Sequence, residues 1–130
     1  MVKGHIETKK CNFNSGFGYF DFVGQRGWHA KHTKKATFDQ QPLEAAGAVE
    51  AYVFAYLVTK KKEYLSDAYL AFAWFFGKNR NNRVLYDEET KGVYDGLTPT
   101  GVNENQGAES VVCFLIAWLS LQKVSEKIKD

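Results

Sequence analysis

The sequence predicts a mainly all-α protein built from αα-hairpins, with a small β-hairpin inside one long loop. Three observations lead there. Two long segments, Leu43 to Val58 and Val111 to Leu121, are apolar with hardly a polar break. A third, Glu63 to Phe76, follows the first after the short basic turn Thr59-Lys60-Lys61-Lys62, which permits only an antiparallel return. The phrase Gln-x-x-Glu also opens both apolar runs, at Gln41–Glu44 and again 65 residues later at Gln106–Glu109. Two helices that enter the fold with the same polar tip suggest a repeated architecture, with both tips on one face.

Each element has a local cause. Asp39 can accept a hydrogen bond from a free N-terminal amide, and Pro42 lacks the amide that would go unpaired, so the first helix starts near Asp39. Its body carries only Glu44 and Glu50 as charges, so no polar stripe marks a solvent face and burial on most sides is expected. Lysines at its C-terminal end suit the negative pole of the helix dipole. The second helix ends at Gly77, a plausible C-terminal cap. Residues 78 to 106 form a long connection in which Val84-Leu85-Tyr86 and Val93-Tyr94 flank a turn and read as a small hairpin. Gly96, Pro99 and Gly101 add further turns, and connections of this length in a folded domain are usually functional. The third helix runs from about Gly107 to Val124, with a charged tail to Asp130. Residues 1 to 37 are irregular and glycine-rich, and the helical-hairpin domain occupies 38 to 130.

Composition narrows the function. A chain of 130 residues with 45% hydrophobic and 15% aromatic content can pack the core of one domain. A formal charge of +2 is too small to argue for nucleic acid or an anionic membrane. Cys11 and Cys113 make no disulfide framework. The polar N-terminus shows no signal peptide, and the longest unbroken apolar stretch, Val111 to Leu119, is about half a membrane span. A soluble, cytoplasmic protein without a membrane or nucleic-acid partner is expected. His29 and His32, with His5 and Cys11 upstream, lack the order of a zinc site, and Asp87-Glu88-Glu89 lacks the alternating oxygen ligands of a calcium loop. No metal or other cofactor is expected. The helices nevertheless carry more apolar surface than a three-helix monomer can cover, so the chain should oligomerise or form one arc of a larger helical ring.

A series of segments then resembles a known family. It comprises Phe38-Asp39-Gln40-Gln41-Pro42-Leu43-Glu44-Ala45, Ala73-Trp74-Phe75-Phe76-Gly77-Lys78-Asn79, Leu85-Tyr86-Asp87, Gly92-Val93-Tyr94-Asp95-Gly96-Leu97 and Gly101-Val102-Asn103-Glu104-Asn105-Gln106-Gly107-Ala108-Glu109-Ser110. In this order, over roughly residues 25 to 122, they resemble the helical region C-terminal to, or beside, bacterial and archaeal group 1 glycosyltransferases. That region is similar to the six-hairpin glycosidase-like (α/α) toroids. The resemblance implies inner helices that run parallel, with their N-termini around one mouth and the second helix returning between them. A closed ring needs several hundred residues, so this chain would supply part of one. It carries no Rossmann-like half and no glycine-rich nucleotide-sugar loop, so transferase activity is not implied.

Glycoside hydrolysis normally uses two carboxylates, roughly 5 Å or 6.5–9.5 Å apart. The catalytic candidates are Glu104, Glu109, Asp95 and Glu44, all at helix starts or in the long loop. Asp39, Gln40, Gln41, Asn103, Asn105 and Gln106 offer groups suited to sugar hydroxyls, and Tyr86, Tyr94 or Trp28 could stack on a sugar ring. The same residues have structural uses, Asp39 as a helix cap and the glutamates as first-turn anions. Two functions are therefore expected. One is a carbohydrate-related module associated with glycosyltransferases, binding or processing a glycan at the loop face and inactive as an isolated chain. The other is a non-catalytic scaffold domain that oligomerises or completes a larger ring.

Overall fold

Proline at position 42 starts the first helix, as its missing amide allows. The computed structural model describes residues 13–14, 18–27 and 32–129. In order these form β1 (Phe13–Asn14), β2 (Tyr19–Phe20), α1 (Pro42–Thr59), α2 (Lys62–Phe72), a 3₁₀ turn (Ala73–Phe75), β3 (Gly96–Thr98), β4 (Gly101–Asn103) and α3 (Ala108–Lys129). Asp39 does not cap α1: Gln41 holds the N-cap position, and no side chain bonds the first-turn amides. Lys60 closes α1 in the left-handed conformation, donating its N–H to the Tyr56 carbonyl, and Gly77 at φ 102° turns the chain after α2 and its 3₁₀ extension.

The central helix is α1. The sequence places α2 between the other two, whereas α1 packs along both α2 and α3, which barely meet each other. The cause is side-chain size. Ala45, Ala46, Ala48 and Ala55 join Val49, Tyr52 and Val53 in a buried surface about half the helix circumference wide, and the alanines let two neighbours approach closely. By contrast α3 buries one stripe, Ser110, Cys113, Ala117, Leu121 and Val124, at the three- and four-residue spacing of a single helix face. Val112, Leu115, Ile116, Trp118 and Leu119 on its other side are exposed. The helix also continues to Lys129, well past Val124. By length and composition Ala108–Lys127 could cross a membrane, and 28% of that window is buried in the protein.

Gln40 is the polar centre of the core. It is fully buried, and its amide donates to Asp21 Oδ1 at 2.7 Å and to the Thr37 carbonyl at 3.1 Å. Its Oε1 accepts from Trp74 Nε1 at 3.0 Å. Its backbone exchanges both hydrogen bonds with Leu97, at 3.2 and 2.8 Å. Gly96 permits that approach, since a Cβ there would stand 2.5 Å from the Gln40 carbonyl oxygen. Asp21 is bridged in turn by Arg80, Nε to Oδ1 at 2.9 Å and Nη2 to Oδ2 at 2.5 Å, with Lys35 Nζ at 3.3 Å from Oδ2. Residues 18 to 27 are therefore tied into the helical core, where Phe20 stacks on Phe22 and Phe22 meets Trp74 edge-on.

The long connection is pinned by side chains. Asn79 donates to the Trp74 and Arg83 carbonyls, and Asn81 donates to the Thr98 and Gly101 carbonyls. The expected hairpin over 84 to 94 is reduced to one bridge, Tyr86 with Val93, around a turn closed by Asp87 and Gly92. The two-stranded ladder within this connection is β3–β4, around the turn residues Gly96, Pro99 and Gly101, with Leu97 opposite Val102; β1 pairs with β2 in a second one. Tyr86 stacks on Phe114 at 4.9 Å and, with Phe72, Phe75 and Phe76, builds an aromatic cluster against α3.

Burial pushes the Asp21 carboxyl up, but hydrogen bonds from Arg80 and Gln40 and the Lys35 charge outweigh it and hold the group below its ordinary range. A depressed folded-state pKa contributes stability above the unfolded value, near about 4, and loses it as pH falls through the folded pKa. Asp21→Asn should therefore cost about 3 kcal/mol in urea unfolding near neutral pH, because it leaves Arg80 and Lys35 facing a neutral group. The gap between variant and wild type should narrow as unfolding is repeated at progressively lower pH.

Candidate functional site

The N-termini of α1 and α3 face a common cleft of about 310 Å³. The residues before and at the start of α1 contribute Gln25, Asp39, Gln41 and Pro42. The long connection and the first turn of α3 contribute Asp95, Gly96, Asn103, Gly107, Glu109 and Ser110. The cleft exists because Gln40 and Leu97 bind backbone to backbone, which draws the approach to α1 against β3 and so against the entry to α3.

Each side chain has a definite tether. Gln41 Nε2 donates to Gln25 Oε1 at 2.8 Å, and Arg26 Nε donates to Asp39 Oδ2 at 3.2 Å. Residues 24 to 26 are held there by backbone bonds from Gly24, Gln25 and Arg26 to the carbonyls of Ala36, Asp39 and Phe38. The other Asp39 oxygen, Oδ1, is buried and has no hydrogen-bond partner among the described residues. Asp95 Oδ1 accepts from the Gly107 N–H at 2.8 Å and the Ser110 hydroxyl at 2.7 Å, so it caps α3 from outside the helix. The Asp95 N–H itself donates to the Asn103 and Asn105 carbonyls, at 3.2 and 2.9 Å. Glu109, exposed in the first turn of α3, makes the third carboxylate of the lining, which contains no cationic side chain.

Of the residues expected at the site, Asp39, Gln41, Asp95, Asn103 and Glu109 line this cleft. The others lie elsewhere. Gln40 is sealed in the core and cannot reach a ligand. Gln106 is a clip, donating to Asp87 Oδ2 at 2.9 Å and accepting from the Thr90 hydroxyl at 2.8 Å. Tyr94 donates to Asp87 at 3.4 Å, and Tyr86 packs in the aromatic cluster. Asn105 braces Asp95 through its carbonyl. Glu104 is exposed outside the lining. Glu44 is half-buried one turn into α1, also outside the lining, and burial raises its pKa. Trp28, His29, His5 and Cys11 lie outside the described residues.

Two polar lining residues, Gln25 and Ser110, are not among those the sequence singles out as site residues. Gln25 sits between glycines in a stretch without periodicity, and its position depends on pairing with residues 36 to 39. Ser110 had a weak signal, a hydroxyl in a first helical turn that a preceding carboxylate can reach. Asp87 is occupied by Gln106 and by the Glu89 and Thr90 amides, which hold its carboxyl below the usual range, and no group of three or more potential metal ligands is assembled among the described residues. The Cys113 thiol is buried, which raises its pKa together with the nearby Glu109 and Glu50 charges, and it has the character of packing rather than of a nucleophile.

Compared with known proteins, the chain matches no family model and no curated protein sequence.

The geometry separates two neighbouring carboxylates by role. Asp95→Ala removes the acceptor for Gly107 and Ser110 and should lower unfolding free energy by about 1–2 kcal/mol. Glu109 is exposed in the first turn of α3, and Glu109→Gln should stay within about 0.5 kcal/mol of wild type in the same chemical denaturation series.

Proposed function

We propose that the cleft between the N-termini of α1 and α3 holds the end of a glycan, in a carbohydrate-related module of the glycosyltransferase-associated kind. The observation that carries this reading is the composition of the cleft. Amides from Gln25, Gln41 and Asn103, the Ser110 hydroxyl, and the carboxylates Asp39, Asp95 and Glu109 offer alternating donors and acceptors of the sort that sugar hydroxyls require. At about 310 Å³ the cleft is at the small end of ligand sites, roughly 300–1,000 Å³, which suits a chain terminus rather than a long segment. Helix N-termini on both sides add amide donors for a bound oxygen.

The resemblance of residues 38–45, 73–79, 85–87, 92–97 and 101–110 to the toroid region supports the same reading, as does the α1–α2 hairpin followed by a second helix that opens on the same cleft. In that frame α1 and α3 are neighbouring inner helices of an incomplete (α/α) ring. Within the cleft Glu109 is the carboxylate available for proton transfer, since one oxygen of Asp95 is committed to α3 and Asp39 is paired with Arg26. Glycan holding does not require turnover, and a partial ring offers a shallow site for it. The scaffold reading also has an observation in its favour, the exposed apolar side of α3.

A panel of neutral mono- and oligosaccharides, followed by amide-shift mapping in NMR, tests the proposal. Ligand should move the amides of Gly96, Asn103 and Gly107, and Glu109→Gln and Asp39→Asn should each weaken binding by about tenfold with unchanged melting temperature. A panel that leaves those amides unmoved, or variants that lose binding only by unfolding, would overturn it.

A further inference from the structure

The exposed side of α3 carries a charge pattern that the cleft does not explain. Val112, Leu115, Ile116 and Leu119 are spaced as one helical stripe, and all four are exposed. Ile116 is 39% exposed even at the centre of the stripe. Seven residues before it stands Glu109 and seven after it stands Lys123, both exposed. Two heptads place all three on the same seam of the helix. The opposite side of α3 is already used, because Cys113, Ala117, Leu121 and Val124 are buried in the protein.

We infer that this face is a two-fold interface with a second copy of the chain, in which the two α3 helices pack antiparallel and cross near Ile116. An isologous contact must be self-complementary, since every group meets its own surface rotated about the axis. A two-fold axis at Ile116 brings Glu109 of each protomer to Lys123 of the other. Val112 and Leu119 then face each other across the seam on both sides of the axis. The same rotation opposes the two helix dipoles, which favours antiparallel neighbours. A parallel pairing would instead set Glu109 against Glu109 and Lys123 against Lys123 at equal heights. The complementarity of Glu109 and Lys123 about Ile116 thus points to a second, antiparallel copy as the occupant, with exposed Glu126 lying beyond Lys123 on the same side. α1 already has α2 as its antiparallel hairpin partner, and the second copy would give α3 the equivalent one. Glu109 is shared with the cleft lining, whereas Ile116 and Lys123 lie outside it, so Ile116→Glu and Lys123→Glu test the interface separately from glycan binding.

The full chain should sediment as a dimer, twice 14.8 kDa. Ile116→Glu places a charge on the axis and should give a folded monomer with an unchanged far-ultraviolet circular dichroism spectrum. Glu109→Lys and Lys123→Glu should each raise the dimer dissociation constant by about tenfold, because each reversal acts twice in a symmetric pair. The double variant Glu109→Lys/Lys123→Glu should return to the wild-type value. Three results would overturn the inference: a wild-type chain that stays monomeric across the concentration range, a dimer indifferent to Ile116→Glu, or single reversals that the double variant does not rescue. Association of a wild-type monomer with phosphatidylcholine vesicles would also overturn it, and would assign the apolar face to lipid.

Discussion

The structure depends on a single buried amide. Gln40 has no exposed surface, so each of its polar atoms must find a partner inside the protein or cost about 1–3 kcal/mol. It finds them in separate parts of the chain: Asp21 and Thr37 before α1, Trp74 after α2, and Leu97 in β3. Those partners satisfy it, and they hold residues 18 to 27, the end of the helical hairpin and the long connection in one arrangement. Because Gln40 sits two residues before α1, the same bonds set where that helix begins. The cleft follows from this, since one of its walls is the approach to α1 and the other is the strand that Gln40 binds.

The connection between α2 and α3 gains its order from polar side chains as well as from the buried Leu85, Val93 and Leu97. Asn79, Arg80 and Asn81 are consecutive, yet they secure three different things: the backbone of the turn, the Asp21 carboxylate and the β3–β4 ladder. Asp87 and Asp95 then organise the segments ahead of α3, one through amides of its own turn and Gln106, the other through Gly107 and Ser110. A loop held at so many points serves as a wall of the cleft, not as a flap over it. It also explains why so many polar residues that look available for a ligand are already in use.

The three helices differ in how far the protein covers them. Small side chains let α1 take a neighbour on each side, while α3 spends one stripe on α1 and leaves another apolar stripe in solvent. An exposed apolar surface of this kind usually marks a contact. The placement of Glu109 seven residues before Ile116 and Lys123 seven after it carries information that bulk hydrophobicity does not. Exposed apolar area says that something binds, whereas the order of charges along it limits what can bind and in which direction.

What the sequence determined by itself was local. The existence of three helices, the tight return after Thr59, the turn at Gly77 and the start at Pro42 follow from periodicity, chain stiffness and glycine or proline geometry within a few residues. The paired Gln-x-x-Glu phrases were also legible, and both do mark helix N-termini at one cleft. Tertiary structure decided what each member does. Gln41 and Glu109 line the cleft, whereas Gln106 is spent on the Asp87 turn and Glu44 lies one turn into α1, outside the lining. The two phrases are the same in sequence but meet different neighbours, Gln25 beside one and Asp87 beside the other. A polar side chain goes to the partner its surroundings offer, and those surroundings come from residues too distant in the chain for any local pattern to record.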